Sequence, residues 1–300
     1  MRLGRASIEA RAPTGAKEMA SDRTWLITGC SSGFGRELVL ELIERGERIV
    51  ATARKPEAIA DLVARAPDRV LACELDVTKA GTIMRTVADA EARFGRIDVL
   101  VNNAGYALFG AVEEVPDDQI RAIFETNFFG FVAVTKAVLP GMRARRHGRI
   151  INISSVGGIS GGLAMGYYAA TKFAMAAITE SLRQEVAPLG IAVTVVEPGA
   201  HQTNIVNRAT HSRVSIDDYK PTVGLRSRQI SALATSMRGD PRLAARAMIA
   251  VADSPQPPVH LPLGEDALAR LNAKLKMLVD DRNRWIDLIR STKKTGSGPV

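Results

Sequence analysis

From Thr24 onward the chain alternates short, wholly apolar runs with amphipathic stretches, and this alternation restricts the fold more than any other feature. "TWLIT", "RIVATA", "RVLACEL", "IDVLVN", "GRIINIS" and "IAVTVVE" have the length and β-branched content of buried strands, and "PVHLPLG" adds a seventh. Helical patterns lie between them: "GRELVLELIERG", closed by Gly46, then "PEAIADLVARA" and "KAGTIMRTVADAEARFG". A long region from Pro116 to Arg146 and the segment opening at Gly166 continue the series. Strands apolar on both faces and separated by helices imply a parallel sheet covered on both sides. The expected fold class is therefore α/β, with one doubly wound domain and its ligand at the carboxyl ends of the strands.

No internal repeat or Pro/Gly/Ser linker divides the chain, so residues 23–264 read as one domain. Within it, residues 200–240 are polar and irregular, which suits a segment that covers a substrate. Residues 265–290 read as a C-terminal helical extension, and residues 291–300 have the composition of a flexible tail. Residues 1–22 read as a flexible N-terminal extension. They are Arg-rich and acid-poor, as transit peptides are, but the simpler expectation is an unstructured segment ahead of an original start at Met19.

The formal charge of +8 invites a nucleic-acid or membrane reading until it is located along the chain. Residues 1–20 carry +2 and residues 282–300 carry +4, leaving only +2 on the remaining 261 residues. The body is near neutral and has no basic stripe interleaved with aromatics, so no nucleic-acid partner is expected. The two cysteines, Cys30 and Cys73, and the four scattered histidines have no metal-ligand spacing. No metal is expected, and a reducing, cytoplasmic setting is. No continuous apolar run reaches the length of a bilayer span.

The first strand runs into "TGCSSGFGRE", with glycines at Gly29, Gly33 and Gly35. Glycines here let the backbone turn tightly and approach an anion, and the helix that follows directs unpaired N–H groups at a phosphate. The spacing T-G-x-x-x-G-x-G resembles that of the short-chain dehydrogenase/reductase family. Further motifs match in order: "NNAG" at 102–105, Asn127, "ISS" ending at Ser155, "YAATK" at 168–172 and "PG" at 198–199. The resemblance spans roughly residues 23–262, leans toward the hydroxysteroid and retinol dehydrogenase branch, and implies a Rossmann fold.

It also implies a dinucleotide held by Gly29, Ser31, Ser32, Gly33, Phe34 and Gly35, with Asp76 and Val77 after the third strand. Asn103, Ala104 and Gly105 would border the adenosine part, and Tyr168, Lys172, Pro198, Gly199 and Thr203 complete the set. Asp76 would bond the adenine amino group, although it could instead cap a helix. NAD enzymes place an acid at the end of the second strand to hold the ribose 2′-hydroxyl. Here that position is Ala53, followed by Arg54, whose guanidinium suits a 2′-phosphate; NADP(H) is therefore the expected cofactor.

Two tyrosines stand together in "GYYAATK", and spacing separates them. Lys172 lies four residues beyond Tyr168, on the same helical face, whereas Tyr167 is turned roughly 100° away. The family's twelve-residue gap between serine and tyrosine likewise leads from Ser155 to Tyr168. A lysine cation about 5 Å from the phenol, at an effective dielectric near 20, would favour the phenolate by about 3 kcal/mol, or roughly two pK units. Tyr168 is thus expected to be the general acid/base. The resemblance implies that Ser155 orients the substrate oxygen and that Asn127 holds a water relaying protons to Lys172.

The function expected is an NADP(H)-dependent oxidoreductase interconverting a carbonyl and an alcohol. The alternative is a catalytically idle NADP-binding regulator, but idle relatives should have lost the serine, tyrosine or lysine, and all three are present. Phe109, Ile159, Leu163 and Met165 fit either a lipophilic substrate or loop packing. A homodimer through the tyrosine helix and the long helix before it is expected, with the C-terminal helix covering the surface that tetrameric relatives use.

Overall fold

The computed structural model describes residues 22–233 and 239–293. The expected N-terminal extension (except Asp22), residues 234–238, and the tail from residue 294 lie outside the described residues. The strands are β1 (Thr24–Ile27), β2 (Arg48–Ala53), β3 (Val70–Glu74), β4 (Val99–Asn102), β5 (Leu108–Phe109), β6 (Gly148–Ile153), β7 (Ile191–Pro198), β8 (Thr210–His211) and β9 (His260–Leu263). The helices are α1 (Gly33–Arg45), α2 (Ala60–Arg65), α3 (Ala80–Phe94), α4 (Asp117–Phe124), α5 (Gly130–Arg145), α6 (Gly166–Val186), α7 (Leu225–Leu233), α8 (Pro241–Asp253), α9 (Glu265–Arg284) and α10 (Ile286–Ser291).

Seven strands form one parallel sheet in the order β3-β2-β1-β4-β6-β7-β9, and the two-residue β5 and β8 pair separately. Alternate side chains supply the two faces. Trp25, Ile27, Ile49 and Val101 pack with α1 and α8, while Leu26, Val50 and Leu100 pack with α3, α5 and α6. Chain order reverses between β1 and β4, where a doubly wound sheet opens a crevice at its carboxyl edge. That edge is braced by buried polar groups. Asn102 donates to Asn152 (2.8 Å) and Thr135 (3.0 Å), and Asn152 donates to Thr179 (2.9 Å), tying β4 and β6 to α5 and α6.

Three sequence expectations need correction. Residues 200–240 are not irregular throughout, since a 3-10 turn at Asp217–Tyr219, a π turn at Lys220–Gly224 and α7 lie within them. The reading also passed over α8, whose Ala244, Ala245, Met248 and Ile249 are buried against α1. Burying its Met and Ile contributes about 1.5–3 kcal/mol each, enough to fix α8 in place.

The second correction concerns the helix running from Asp117 to Arg145. It contains an 18-residue window long and apolar enough, by composition alone, to cross a membrane. Thr126, Asn127, Thr135 and Lys136 interrupt the apolar run and hid it from the sequence reading. In the fold, Phe131, Val134, Val138 and Met142 of this helix are buried. Third, α9 does not cover the body: Ala267 is its one buried residue among those described.

Candidate active site

A cavity of about 630 Å³ opens at the carboxyl edge of the sheet. Its floor is the loop between β1 and α1. Gly29 has φ 76°, in the left-handed region that favours glycine, and a Cβ there would press on the Ala104 Cα at 3.1 Å. A Cβ on Gly35 would lie 2.6 Å from both the Asn103 amide nitrogen and the Gly29 carbonyl oxygen. Gly35 therefore permits close packing behind the loop and does not itself line the cavity. Asn103 locks this arrangement by donating to the carbonyls of Thr28 (2.8 Å) and Gly29 (3.0 Å), while the Thr28 hydroxyl accepts from the backbone N–H groups of Asn103 and Ala104 (both 2.9 Å). Ser31, Ser32, Gly33 and Phe34 line the cavity at the start of α1. That helix has no side-chain N-cap bond and no acid in its first turn, so its N-terminal N–H groups face the cavity without a competing anion.

Ala53 and Arg54, at the end of β2, line the same cavity, as do Asp76, Val77, Asn103, Ala104 and Gly105. Asp76 is not the cap of α3; Lys79 is, without a side-chain bond. The Asp76 carboxylate accepts from the N–H (3.0 Å) and hydroxyl (2.7 Å) of Thr78. Burial works to raise its pKa, but the Thr78 bonds and the charges of Lys79 and Arg54 outweigh burial and hold it below the usual carboxylate value. Pro198, Gly199 and Thr203 also line the cavity, Thr203 beside the glycine loop, where a Cβ on Gly33 would meet its side chain at 3.5 Å.

Tyr168 and Lys172 lie one helical turn apart on α6, both buried, and both line the cavity with Ser155. Tyr167 faces elsewhere and donates its hydroxyl to the Val112 carbonyl at 3.0 Å. Ser155 caps a 3-10 turn over Val156–Gly158, accepting from the Gly157 N–H at 3.1 Å. The Lys172 ammonium donates to the Ile153 carbonyl at 2.7 Å and lies 5.9 Å from the Tyr168 ring centroid.

The electrostatics overturn one expectation. The Tyr168 phenol is pushed up by burial, only partly offset by the hydrogen bond of Ser155. Burial also pulls Lys172 down, to about 8. Helical spacing measures the distance between the two groups but not their desolvation, which here dominates both.

Asn127 lies just behind the cavity lining, close to Lys172: a Cβ on Gly105 would meet the Asn127 Oδ1 at 3.0 Å and the Lys172 Nζ at 3.7 Å. It is fully buried in a π turn over Glu125–Phe129 and does not line the cavity. Its amide accepts from the Tyr106 N–H (3.0 Å) and donates to the Tyr106 carbonyl (2.9 Å) and Thr171 hydroxyl (3.3 Å), fixing the backbone beside Gly105. Phe109, Ile159, Leu163 and Met165 do not line the cavity either: Phe109 packs in the core around Tyr168, and Leu163 is exposed. Cys30 is buried filler, its thiol pushed up to about 12 by burial.

Sequence reasoning missed Arg208. It reaches back to the glycine loop, donating to the Ser32 hydroxyl at 3.0 Å, and lines the cavity with His201 and Ile205. Nothing in local spacing links residues so far apart.

A family model described as short chain dehydrogenase matches residues 23–213. The chain belongs to that family. It is therefore a member of an oxidoreductase family. An oxidoreductase of Botryotinia fuckeliana (strain B05.10), BOA17, is 34% identical over 267 residues, covering 89% of this chain and 97% of that protein. Retinol dehydrogenase 8 of Homo sapiens is 38% identical over 210 residues, 68% of this chain and 66% of that protein. A solved short-chain dehydrogenase from Streptomyces avermitilis is 41% identical, with a TM-score of 0.84 over 90% of this chain and 100% of that one. Two other solved proteins of this fold are complexed with NADP in one case and with NADH in the other.

Proposed function

We propose that this protein is an NADP(H)-dependent oxidoreductase that interconverts a carbonyl and an alcohol, with Tyr168 as general acid/base. The observation that carries the reading is the convergence of Ser155, Tyr168 and Lys172 at one end of a cavity whose floor is the glycine loop and the uncapped start of α1. The Cβ-excluding packing at Gly29 and Gly35 shapes that floor for the close approach of a phosphate. Arg54 would hold the 2′-phosphate, since Ala53 offers no carboxylate to a 2′-hydroxyl. Arg208, beside Ser32, adds positive charge at the glycine loop.

When bound, the dinucleotide supplies or accepts the hydride. The protein's own work is the proton. Ser155 hydrogen-bonds the substrate oxygen and holds it near the phenol. Tyr168, kept protonated by burial, donates to the developing alkoxide in reduction and accepts the proton back in oxidation. Lys172 stabilises the phenolate that donation leaves. Asn127 acts indirectly, by fixing the Tyr106 backbone that lines the cavity.

The substrate class is a small lipophilic carbonyl or alcohol. The likeness to a retinol dehydrogenase supports this, as do Tyr106, Ala122 and Ile205 along the cavity. The protein works in the cytoplasm and pairs with a second copy through the outer faces of α5 and α6, where Phe173 and Ile178 of α6, and Phe129 just ahead of α5, are exposed. The test is incubation with NADPH and a panel of lipophilic ketones and aldehydes, followed at the nicotinamide absorbance. Consumption of NADPH supports the proposal, whereas tight NADPH binding with no turnover on any member favours an idle regulator.

A further inference from the structure

α9 leaves the body after one anchored turn. Asp266 accepts from the Ala200 N–H (2.7 Å), Ala267 is buried, and Arg270 donates to the Gly161 carbonyl (3.2 Å). Beyond that point α9, and the short α10 that follows it after Trp285, are largely exposed yet carry large apolar side chains: Leu275, Leu278, Trp285 and Ile289 are each about half exposed. Their spacing is regular. Positions 268, 271, 275, 278, 282, 285 and 289 alternate steps of three and four, and all are apolar except Arg282. A 3.5-residue apolar repeat sustained over three heptads is the pattern of a helix that packs along another helix.

We propose that α9 and α10 form an antiparallel helix pair with α9 and α10 of a second copy of this chain. Direction follows from charge. A parallel pair would place Arg282 against its own copy, burying two like charges in one layer, and would face Lys274 and Asp281 with Val279 and Ile286. An antiparallel pair centred between residues 276 and 277 stacks Leu275 on the partner's Leu278 and Leu268 on the partner's Trp285, and sets Arg282 against the partner's Leu271. It also brings Lys274 beside the partner's Asp281, twice by symmetry.

Lys276 and Asp280 already pair within the helix at 2.5 Å, whereas Lys274 and Asp281 form no ion pair among the described residues. The polar face is mixed in sign, with Asp280, Asp281 and Asp287 among its lysines and arginines, which disfavours an anionic membrane as the occupant. An antiparallel pair also places the two bodies at opposite ends of the helices, clear of one another. The contact is distinct from that of α5 and α6, so four chains assemble when both form, in place of the dimer expected from sequence.

The test is the mass of the full-length protein by sedimentation at micromolar concentration. The wild type is expected at four chains, or at two if the α5 and α6 pairing fails, and Leu275→Glu with Leu278→Glu should halve the mass in either case without loss of activity. Lys274→Asp and Asp281→Lys should each weaken the association by about tenfold, and the two together should restore it. A mass unchanged by the leucine variant overturns the proposal. So does a double charge variant no tighter than the singles, or binding of the wild type but not the leucine variant to phosphatidylglycerol vesicles.

Discussion

Replacing Lys172 with methionine isolates what it costs this fold to bury a cation at its active site. The ammonium is buried, and its pKa is pulled from 10.5 to about 8 by desolvation. That gap corresponds to about 3 kcal/mol of strain on the charged form in the folded state. Methionine has similar length and no charge to desolvate. It leaves the Ile153 carbonyl without the donor now 2.7 Å away, a loss of about 1 kcal/mol. The net expectation at pH 7 is a protein about 2 kcal/mol more stable, with Tm higher by about 4 °C, and with little activity.

The pH dependence fixes the cause. Below pH 8 the lysine is protonated in both folded and unfolded chains, so the penalty is fully present. Between pH 8 and 10.5 the unfolded chain holds a proton that the folded one has released, so wild-type stability gains with pH from this group. The advantage of Lys172→Met should therefore be constant below pH 8 and fade toward pH 10.5. Thermal unfolding of both proteins without cofactor, at fixed ionic strength from pH 6 to 10.5, provides the assay. A variant less stable than wild type at pH 7, or a difference that does not change with pH, refutes the reasoning.

Arg54→Asp should lower the NADP-over-NAD ratio of kcat/KM by about tenfold or more, because a carboxylate repels the 2′-phosphate and accepts from a 2′-hydroxyl; an unchanged ratio removes Arg54 from that role. Gly35→Ala places a methyl 2.6 Å from the Asn103 amide and the Gly29 carbonyl, so it should cost about 1–3 kcal/mol in thermal unfolding. A neutral substitution there would mean that the loop is less tightly packed than the structure has it.

What the sequence disclosed and what it hid divide along physical lines. Apolar periodicity and glycine position are local signals, and they placed the seven-stranded sheet, the loop before α1 and the Tyr168–Lys172 face. Contacts made by distant segments carry no such signal. Arg208 meets Ser32 only once residues 200–210 fold back to the glycine loop, and Asn127 meets the Tyr106 backbone only once two separate segments pack together. Desolvation is likewise absent from spacing, which is why the Tyr168 phenol rises where the lysine's charge alone would have lowered it. An amphipathic helix such as α9 reads the same whether it covers its own body or projects from it.

The most direct test of the central claim compares Tyr168→Phe with Tyr167→Phe, measuring NADPH binding and carbonyl reduction in the same preparations. Loss of the Tyr168 hydroxyl should lower turnover by about 10²–10⁴-fold with NADPH affinity nearly unchanged. Loss of the Tyr167 hydroxyl, which donates to the Val112 carbonyl, should change turnover little. Reversed phenotypes, or a Tyr168→Phe protein that turns over as fast as wild type, would contradict the account.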